Sequence, residues 1–163
     1  MDKLDIVTDE SGNEVVLLPE IIFSNKQNIN WNDVEDYLGK YVGELIEIAE
    51  TRDIIYIGNK FPDEYGGSSY TRKTKGARAK AKANAAQGIR EMVEIATDKV
   101  YRENHKEKHS EDAHNGWFYY VTRFAIPLYN NEKKTGEYNV YSACLVVNHA
   151  ANGKMYLYDV VGI

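Results

Sequence analysis

The chain has 163 residues, of which 43% are hydrophobic and 28% are charged, and these values fit one globular domain. Its single cysteine, Cys144, excludes an internal disulfide and a metal site built from several thiolates. No apolar run approaches the roughly 18 residues of a membrane span, and the first residues lack the apolar core of a secretion signal. A cytoplasmic protein without membrane association is therefore predicted.

The net charge of −5 is unevenly distributed along the chain. Residues 1–65 hold 5 Lys and Arg against 15 Asp and Glu, whereas residues 66–163 hold 15 against 10. Six of the basic residues lie between positions 72 and 82: Arg72, Lys73, Lys75, Arg78, Lys80 and Lys82. A locally basic half allows an anionic partner such as nucleic acid at one surface.

The first 71 residues predict two hairpins separated by a short helix. Residues 4–18 consist of two strand-like runs around a turn, and Pro19 stops the second run. A helix follows the polar residues 28–32 and ends at Gly39. Residues 41–49 and 53–58 are strand-like and predict the second hairpin. Residues 59–71, with Pro62, adjacent glycines and two serines, predict a loop.

A single long helix is the clearest predicted element, from near Thr74 to about Thr97. Apolar residues recur there at steps of three or four, which gives one stripe that faces a core. Gly88 interrupts the pattern at a cost of about 1 kcal/mol relative to alanine, so a packing reason for this glycine is expected. The stripe consists of Ala81, Ala85, Ile89, Met92, Ala96 and Val100.

Three strand-like runs complete the chain, at residues 117–129, 138–150 and 154–163, and Asn152-Gly153 marks the second turn between them. The predicted fold class is α+β: one long helix and shorter helices packed on an antiparallel sheet that ends in a three-stranded meander. Residues 1–163 form one predicted domain. Because the last strand reaches the final residue, we expect a module of a longer polypeptide.

Arg123 is the first candidate for chemistry. Alternation along its strand places Tyr120 and Phe124 on a core face, and places Arg123 with Trp117 and Tyr119 on the opposite face. An arginine between apolar neighbours needs an anionic partner. Two partners stay open at this point: a carboxylate of the protein, such as that of Asp159 or Glu47, and a phosphate of a ligand.

The four histidines are the second group of candidates. His105, His109 and His114 follow the predicted helix, and His149 lies at the end of the middle strand. Histidine titrates near neutral pH and therefore suits general acid–base catalysis. Two other interpretations stay open: residues 105–116 as a solvated charged connection, and a zinc site at His105 and His109, which are four residues apart. We predict no metal and no cofactor.

Several segments of the chain resemble one of the large polyvalent protein-associated domains, which are modules of very long phage and mobile-element polypeptides. The resemblance covers about residues 40–163. It is carried by the sequences EYGGSSYT, GARAKAKANAAQGIREMVEIAT, KEKHSEDAHNGWFYYVTRFAIPLY, YNVYSACLVV and GKMYLYD. At the level of topology, a helix before an antiparallel meander that carries His and Arg also resembles the barnase–EndoU–colicin–RelE superfamily of metal-independent ribonucleases.

The second resemblance implies roles for individual residues. His109 and His149 would be the acid–base pair, His114 would substitute for either, and Arg123 would hold the phosphate. Tyr119 or Tyr141 would position the phosphate, although no second cation is obviously placed beside Arg123. Lys80 or Arg78 would follow the nucleic-acid backbone. Independently of the resemblance, the basic segment makes Arg72, Lys73, Lys75, Arg78 and Lys80 candidates for nucleic-acid contact, and a solvated basic helix face is the other interpretation that stays open.

The predicted function is a nucleic-acid-directed module of a mobile genetic element, with RNA or another nucleic acid as partner. The resemblance extends this prediction to a metal-independent endoribonuclease that acts as a toxin or effector. The alternative is a non-catalytic protein-interaction module of a phage polyprotein, whose partners are other domains of that polyprotein and whose contact surface is the tyrosine-rich sheet.

Overall fold

A computed structural model describes residues 3–24, 28–103 and 116–163. In this part of the chain one strongly curled sheet of eight strands dominates the fold. The strands are β1 (Ile6–Thr8), β2 (Glu14–Leu17), β3 (Leu45–Glu47), β4 (Ile54–Tyr56), β5 (Thr97–Arg102), β6 (Trp117–Asn130), β7 (Lys133–His149) and β8 (Met155–Val161). Their order is β1-β2-β6-β7-β8-β4-β3, and β5 pairs with β6 beside the short β2 contact.

The fold is α+β, but the predicted antiparallel sheet is wrong because the sheet is mixed. The consecutive strands β6, β7 and β8 are antiparallel neighbours. On either side of them, β2 pairs with β6 in parallel and β4 pairs with β8 in parallel. The two N-terminal hairpins thus flank the C-terminal strands instead of forming a sheet of their own, and the segment between the hairpins and β6 crosses over the sheet.

The predicted long helix is also wrong, because residues 77–94 form two short α-helices separated by a 3-10 turn. The helices are α1 (Trp31–Leu38), α2 (Phe61–Gly67), α3 (Ser69–Lys73), α4 (Ala77–Ala85) and α5 (Ile89–Glu94). Gly76, at φ +64°, turns the chain before α4, and a 3-10 turn at Ala86–Gly88 separates α4 from α5. None of the helices in the described ranges has the length and apolar character that crossing a bilayer requires.

Close packing explains the glycine at position 88, as the sequence led us to expect. A Cβ atom at this position would lie 3.1 Å from Leu18 Cδ2 and 3.3 Å from Val16 Cγ1. Strand β2 therefore approaches the backbone between α4 and α5 closely, and a larger residue would push the two apart.

The main hydrophobic core lies between the helices and one face of the sheet. Tyr120 and Phe124 of β6 are fully buried there, as are Ile89 and Met92 of α5. The hydroxyl of Thr122, also on β6, donates a 2.7 Å hydrogen bond to the carbonyl oxygen of Met92. We call this side of the sheet the helix face.

Candidate nucleic-acid interface

The register of β6 against β7 places each candidate residue on one of the two sheet faces. Trp117, Tyr119 and Arg123 alternate with the core residues Tyr120 and Phe124 and therefore lie opposite the helix face. We call this opposite side the aromatic face. It comprises Trp117, Tyr119, Val121 and Arg123 of β6, Ser142, Cys144, Val146 and Asn148 of β7, and Tyr156 and Tyr158 of β8.

Arg123 has no ion pair within residues 3–24, 28–103 and 116–163. The two carboxylates that were its expected partners bind other cations. Asp159 Oδ1 lies 2.6 Å from Lys82 Nζ, and Glu47 Oε2 lies 2.9 Å from Arg52 Nε. The half-buried Arg123 guanidinium stands opposite the exposed Ser142, so its N–H donors are available to an anion from outside the described chain.

Aromatic rings cover the part of this face beyond Arg123. The rings of Trp117 and Tyr158 meet edge to face with their centroids 5.0 Å apart. The guanidinium carbon of Arg102 lies 5.6 Å from the ring centroid of Tyr119. Tyr119 remains half-buried, so part of this aromatic surface stays accessible. A second aromatic pair, Tyr56 and Tyr156, lies toward β4 with centroids 5.7 Å apart.

Three cations lie on or beside the aromatic face, although the whole chain carries −5. Arg123 lies on β6, and Arg102 of β5 pairs with Trp117 of β6. Lys154 Nζ lies 5.0 Å from the ring centroid of Tyr56. The outward positions at residues 117–125 of β6 and 140–148 of β7, both completely described, contain no Asp or Glu. The local potential therefore favours an anionic partner.

The structure does not bring His149 or Tyr141 to Arg123. His149 lies seven residues along β7 from Ser142, the partner of Arg123, and therefore on the opposite face. Its ring contacts Phe118, with centroids 5.5 Å apart. Tyr141 stacks on the core ring of Phe124 at 5.5 Å and 19°. Of the predicted phosphate-positioning residues, only Tyr119 shares a face with Arg123.

The other predicted catalytic histidines, His109 and His114, lie outside the described residues. The same holds for His105, which the zinc interpretation used together with His109. These predictions therefore stay as the sequence left them.

A cluster of polar side chains that are paired with one another lies beside Phe118 on the helix face. Asp53 Oδ2 accepts hydrogen bonds of 2.7 Å from the Tyr120 hydroxyl and 2.8 Å from the Thr51 hydroxyl, and lies 2.8 Å from Lys99 Nζ. Burial alone would raise the pKa of Asp53, but the hydrogen bonds from Lys99, Tyr120 and Thr51 hold it below its ordinary value. Burial and the bond to Asp53 raise the pKa of Tyr120, which stays protonated. These groups satisfy one another and stabilise the fold.

The predicted backbone-binding residues lie on the surface around α3 and α4. Arg72, Lys73, Lys75 and Arg78 are exposed, and Lys80 is half-buried. The position of α3 is set at the end of β8, where the backbone N–H of Ile163 donates a 2.9 Å hydrogen bond to the Tyr70 hydroxyl. That end of β8 pairs with Cys144, two residues from Ser142. The basic segment and Arg123 thus lie toward the same end of the sheet.

Lys82 belongs to the same basic run in the sequence but is completely buried. Its ammonium group contacts Asp159 and lies 4.6 Å and 4.9 Å from the ring centroids of Tyr65 and Tyr70. Burial pushes the pKa of Lys82 down and that of Asp159 up, and their mutual attraction opposes both shifts. The one signal in the sequence for the burial of Lys82 was alanine at 79, 81, 83 and 85, because small residues on every side of a helix indicate that the whole helix is buried.

Arg102 is a further residue that sequence reasoning missed, because the residues between the end of the predicted helix, near Thr97, and the strand at 117 were expected to be a polar connection, whereas residues 97–102 form β5. No family model, curated protein or solved structure matches the chain. The two resemblances therefore stay predictions, and the function proposed below is argued from the residues of the aromatic face.

Proposed function

We propose that this protein is a nucleic-acid-directed module that binds single-stranded nucleic acid on the aromatic face of its sheet. The observation that carries the proposal is Arg123, a half-buried guanidinium without an ion pair in the described residues, in line with Tyr119 and Trp117. The fork of N–H donors in arginine matches two phosphate oxygens, and arginine loses less hydration energy than lysine when it leaves water.

The rings around Arg123 support a single-stranded partner. Proteins that bind single strands combine cations that follow the phosphates with aromatic rings on which successive bases stack. Tyr119 and Arg123 lie on the same face of β6, with Val121 between them. The Arg102 guanidinium covers part of the Tyr119 ring. A duplex keeps its bases inside, whereas an unpaired strand presents them to such rings.

The dimensions of the face suit several nucleotides. Arg123 and Trp117 are six residues apart on β6, which is about 20 Å along a strand. A phosphate at Arg123 would leave the following bases over Tyr119 and toward Trp117. The exposed Arg72 and Lys73 at the end of α3 stay predicted contacts to the nucleic-acid backbone.

Cleavage of the bound strand is a separate hypothesis. It requires an acid and a base within about 2.6–3.2 Å of the atoms whose protons they transfer. His149 lies on the helix face, so we propose no role for it at a phosphate held by Arg123. His109 and His114 stay the predicted acid–base residues for a metal-independent ribonuclease.

Fluorescence anisotropy tests the binding proposal. We expect labelled single-stranded RNA or DNA of about ten nucleotides, within the ~4–16 that one single-strand-binding fold covers, to bind more tightly than duplexes of equal length. The affinity should fall steeply as salt is added, because phosphate contacts release counterions. The RNA and DNA arms distinguish the two sources of a single strand. If no oligonucleotide binds at low salt, the proposal fails and the protein-interaction module is favoured.

Tyr119→Ala is the variant that tests stacking. We expect a loss of about 1–3 kcal/mol in binding free energy, which is the usual contribution of one stacked base. Tyr129→Ala is the matched control, since Tyr129 is exposed on the same strand beyond the aromatic face. Equal effects of the two substitutions would contradict the proposed site.

An assay in EDTA tests cleavage. The protein is incubated at high concentration with single-stranded RNA, and the products are separated on a gel. A cut strand that His109→Ala or His114→Ala protects, and His149→Ala does not, would extend the proposal to a metal-independent endoribonuclease. A strand that stays intact limits the proposal to binding.

A further inference from the structure

A cavity of about 270 Å³ opens at the Trp117 end of the aromatic face, where β8 separates from β4. Tyr156 and Tyr158 of β8 form part of its lining, together with Asn148 of β7. Residues 58–64, which lead from β4 into α2, contribute Phe61 and Glu64. Sites for drug-sized ligands begin at about 300 Å³, so this cavity suits a smaller, flat group.

Asn148 is the unusual member of this lining. The residue is 8% exposed, and its Oδ1 atom has no hydrogen-bond partner in the described residues. Buried amide oxygens in proteins are almost always paired, because leaving one unpaired costs free energy. Asn148 pairs with Trp117 across the β6–β7 ladder and lies six residues from Ser142, so it shares the face of Arg123.

We propose that the cavity holds one nucleobase of the bound single strand, with the Asn148 amide hydrogen-bonded to the edge of that base. The inference rests on the proposed function and names the base-reading part of the same site. An amide places an acceptor beside a donor, which is the pattern that the edges of bases present. The rings of Tyr156 and Tyr158 provide flat aromatic walls for the base.

The lining also selects among bases. Asn148 and Glu64 both line the cavity, and each side chain offers an acceptor oxygen. The exocyclic amino group of adenine or cytosine carries two hydrogens and can satisfy both acceptors, whereas uracil has no amino group. The site therefore favours adenine or cytosine over uracil.

The cavity and Arg123 serve different nucleotides of one strand. Trp117, opposite Asn148, is about 20 Å along β6 from Arg123. A strand that places one phosphate at Arg123 would cross Tyr119 before it reaches the cavity. Arg123 thus contributes affinity for any sequence, and Asn148 contributes the preference for a base.

Nuclear magnetic resonance with mononucleotides tests the cavity alone. Adenosine, cytidine and uridine monophosphate are titrated separately into labelled protein. We expect the first two to shift the side-chain amide signals of Asn148 and uridine monophosphate to shift them much less. If none of the three shifts these signals, or if uridine monophosphate shifts them most, the inference is overturned.

Oligonucleotides test the cavity in its proposed setting. We expect oligo-A and oligo-C to bind about 10-fold more tightly than oligo-U, in keeping with one specific base contact. Asn148→Leu should reduce this difference to about 2-fold or less. Asn139→Leu is the matched control, since Asn139 is exposed on the same strand, and it should preserve the preference.

Two further measurements keep the test decisive. Asn148→Leu should unfold at the same temperature as the natural protein or higher, because it removes an unpaired buried oxygen. Should that variant not fold, Glu64→Met removes the other acceptor, because methionine has no oxygen, and it should weaken binding of oligo-A and oligo-C while leaving oligo-U unchanged. A preference that survives the substitution contradicts the inference.

The outcomes separate this inference from the proposed function. Tight oligonucleotide binding that ignores the base and Asn148→Leu overturns the cavity and leaves the single-strand proposal standing. Mononucleotide shifts at Asn148 without binding of any oligonucleotide support the cavity as a base site and overturn the single-strand proposal.

Discussion

The two faces of the sheet differ in whether their polar side chains have partners inside the protein. On the helix face, Thr122 donates to a helix carbonyl, Tyr120 donates to Asp53, and under the helices Lys82 is paired with Asp159. On the aromatic face, Arg123 has no ion pair and Asn148 Oδ1 has no hydrogen bond within the described residues. Both faces belong to the same strands, so their difference lies in the partners of the side chains.

This difference separates residues that hold the fold from residues available to a ligand. A polar group that is satisfied inside the protein contributes to stability and has little left for a partner. A half-buried or buried group without an internal partner gains its interaction only when a ligand arrives. Substitutions on the helix face should therefore change stability, and those on the aromatic face should change binding.

Lys82→Met should give the largest loss of stability. It leaves the Asp159 carboxylate buried without its cation, and breaking a buried ion pair in this way costs about 3–5 kcal/mol. The measurement is urea unfolding followed by circular dichroism. The double variant Lys82→Met with Asp159→Leu should recover much of the loss, since it removes both charges. A single variant within about 1 kcal/mol of the natural protein would contradict the assignment of this pair as part of the core.

Asp53→Asn should have a smaller effect that depends on pH. The pKa of Asp53 is held below its ordinary value, so its contribution is present above the unfolded pKa of about 4 and is lost as the pH falls through the lowered pKa. We expect the variant to be about 1–2 kcal/mol less stable at neutral pH, and the difference to shrink in acid.

Urea unfolding of the natural protein and of Asp53→Asn over a series of pH values measures this dependence. Asp5→Asn is the control, because Asp5 is exposed. A difference between Asp53→Asn and the natural protein that stays constant from neutral to acidic pH would contradict the proposed cluster.

Arg123→Gln should have the smallest effect on stability, within about 0.5 kcal/mol, because the substitution breaks no internal ion pair. The same unfolding experiment gives the answer. A loss of more than about 2 kcal/mol would show that Arg123 serves the fold, and the contrast between the two faces would not hold.

The sequence allowed good prediction where one local rule decides the outcome. The alternation along residues 117–126 separated the outward Arg123 from the core residue Phe124 as the structure does, because a strand turns successive side chains to opposite faces. Asn30 caps α1, and Gly39 follows its last residue, as the polar and glycine signals indicated. Register and partner choice were outside the reach of such rules.

The errors arose where tertiary packing overrides local preference. The alanine-rich segment favours helix throughout, but Gly76 turns the chain and β2 approaches at Gly88. Val100 fits the helical spacing, yet it lies in β5 and pairs with Tyr119 of β6. The loop expected at residues 59–71 instead contains α2 and α3. Each outcome depends on a distant strand that no window of neighbouring residues contains.

The candidate site was predictable in part for the same reason. Arg123 and Tyr119 share a strand, so spacing alone placed them together. His149 and Tyr141 lie on the neighbouring strand, where the face depends on a register that the loop at residues 130–137 left undetermined. Strands β6 and β7 continue into that loop and turn at Asn131 and Glu132, which have positive φ.

The most direct test of the account is the salt dependence of single-stranded RNA binding by Arg123→Gln. Arg52→Gln is the matched control, since Arg52 is exposed and pairs with Glu47 away from the aromatic face. We predict that Arg123→Gln binds more weakly and that its slope of log affinity against log salt falls by about 1, while Arg52→Gln binds like the natural protein. Equal affinity and slope for the natural protein and both variants would contradict a phosphate site at Arg123.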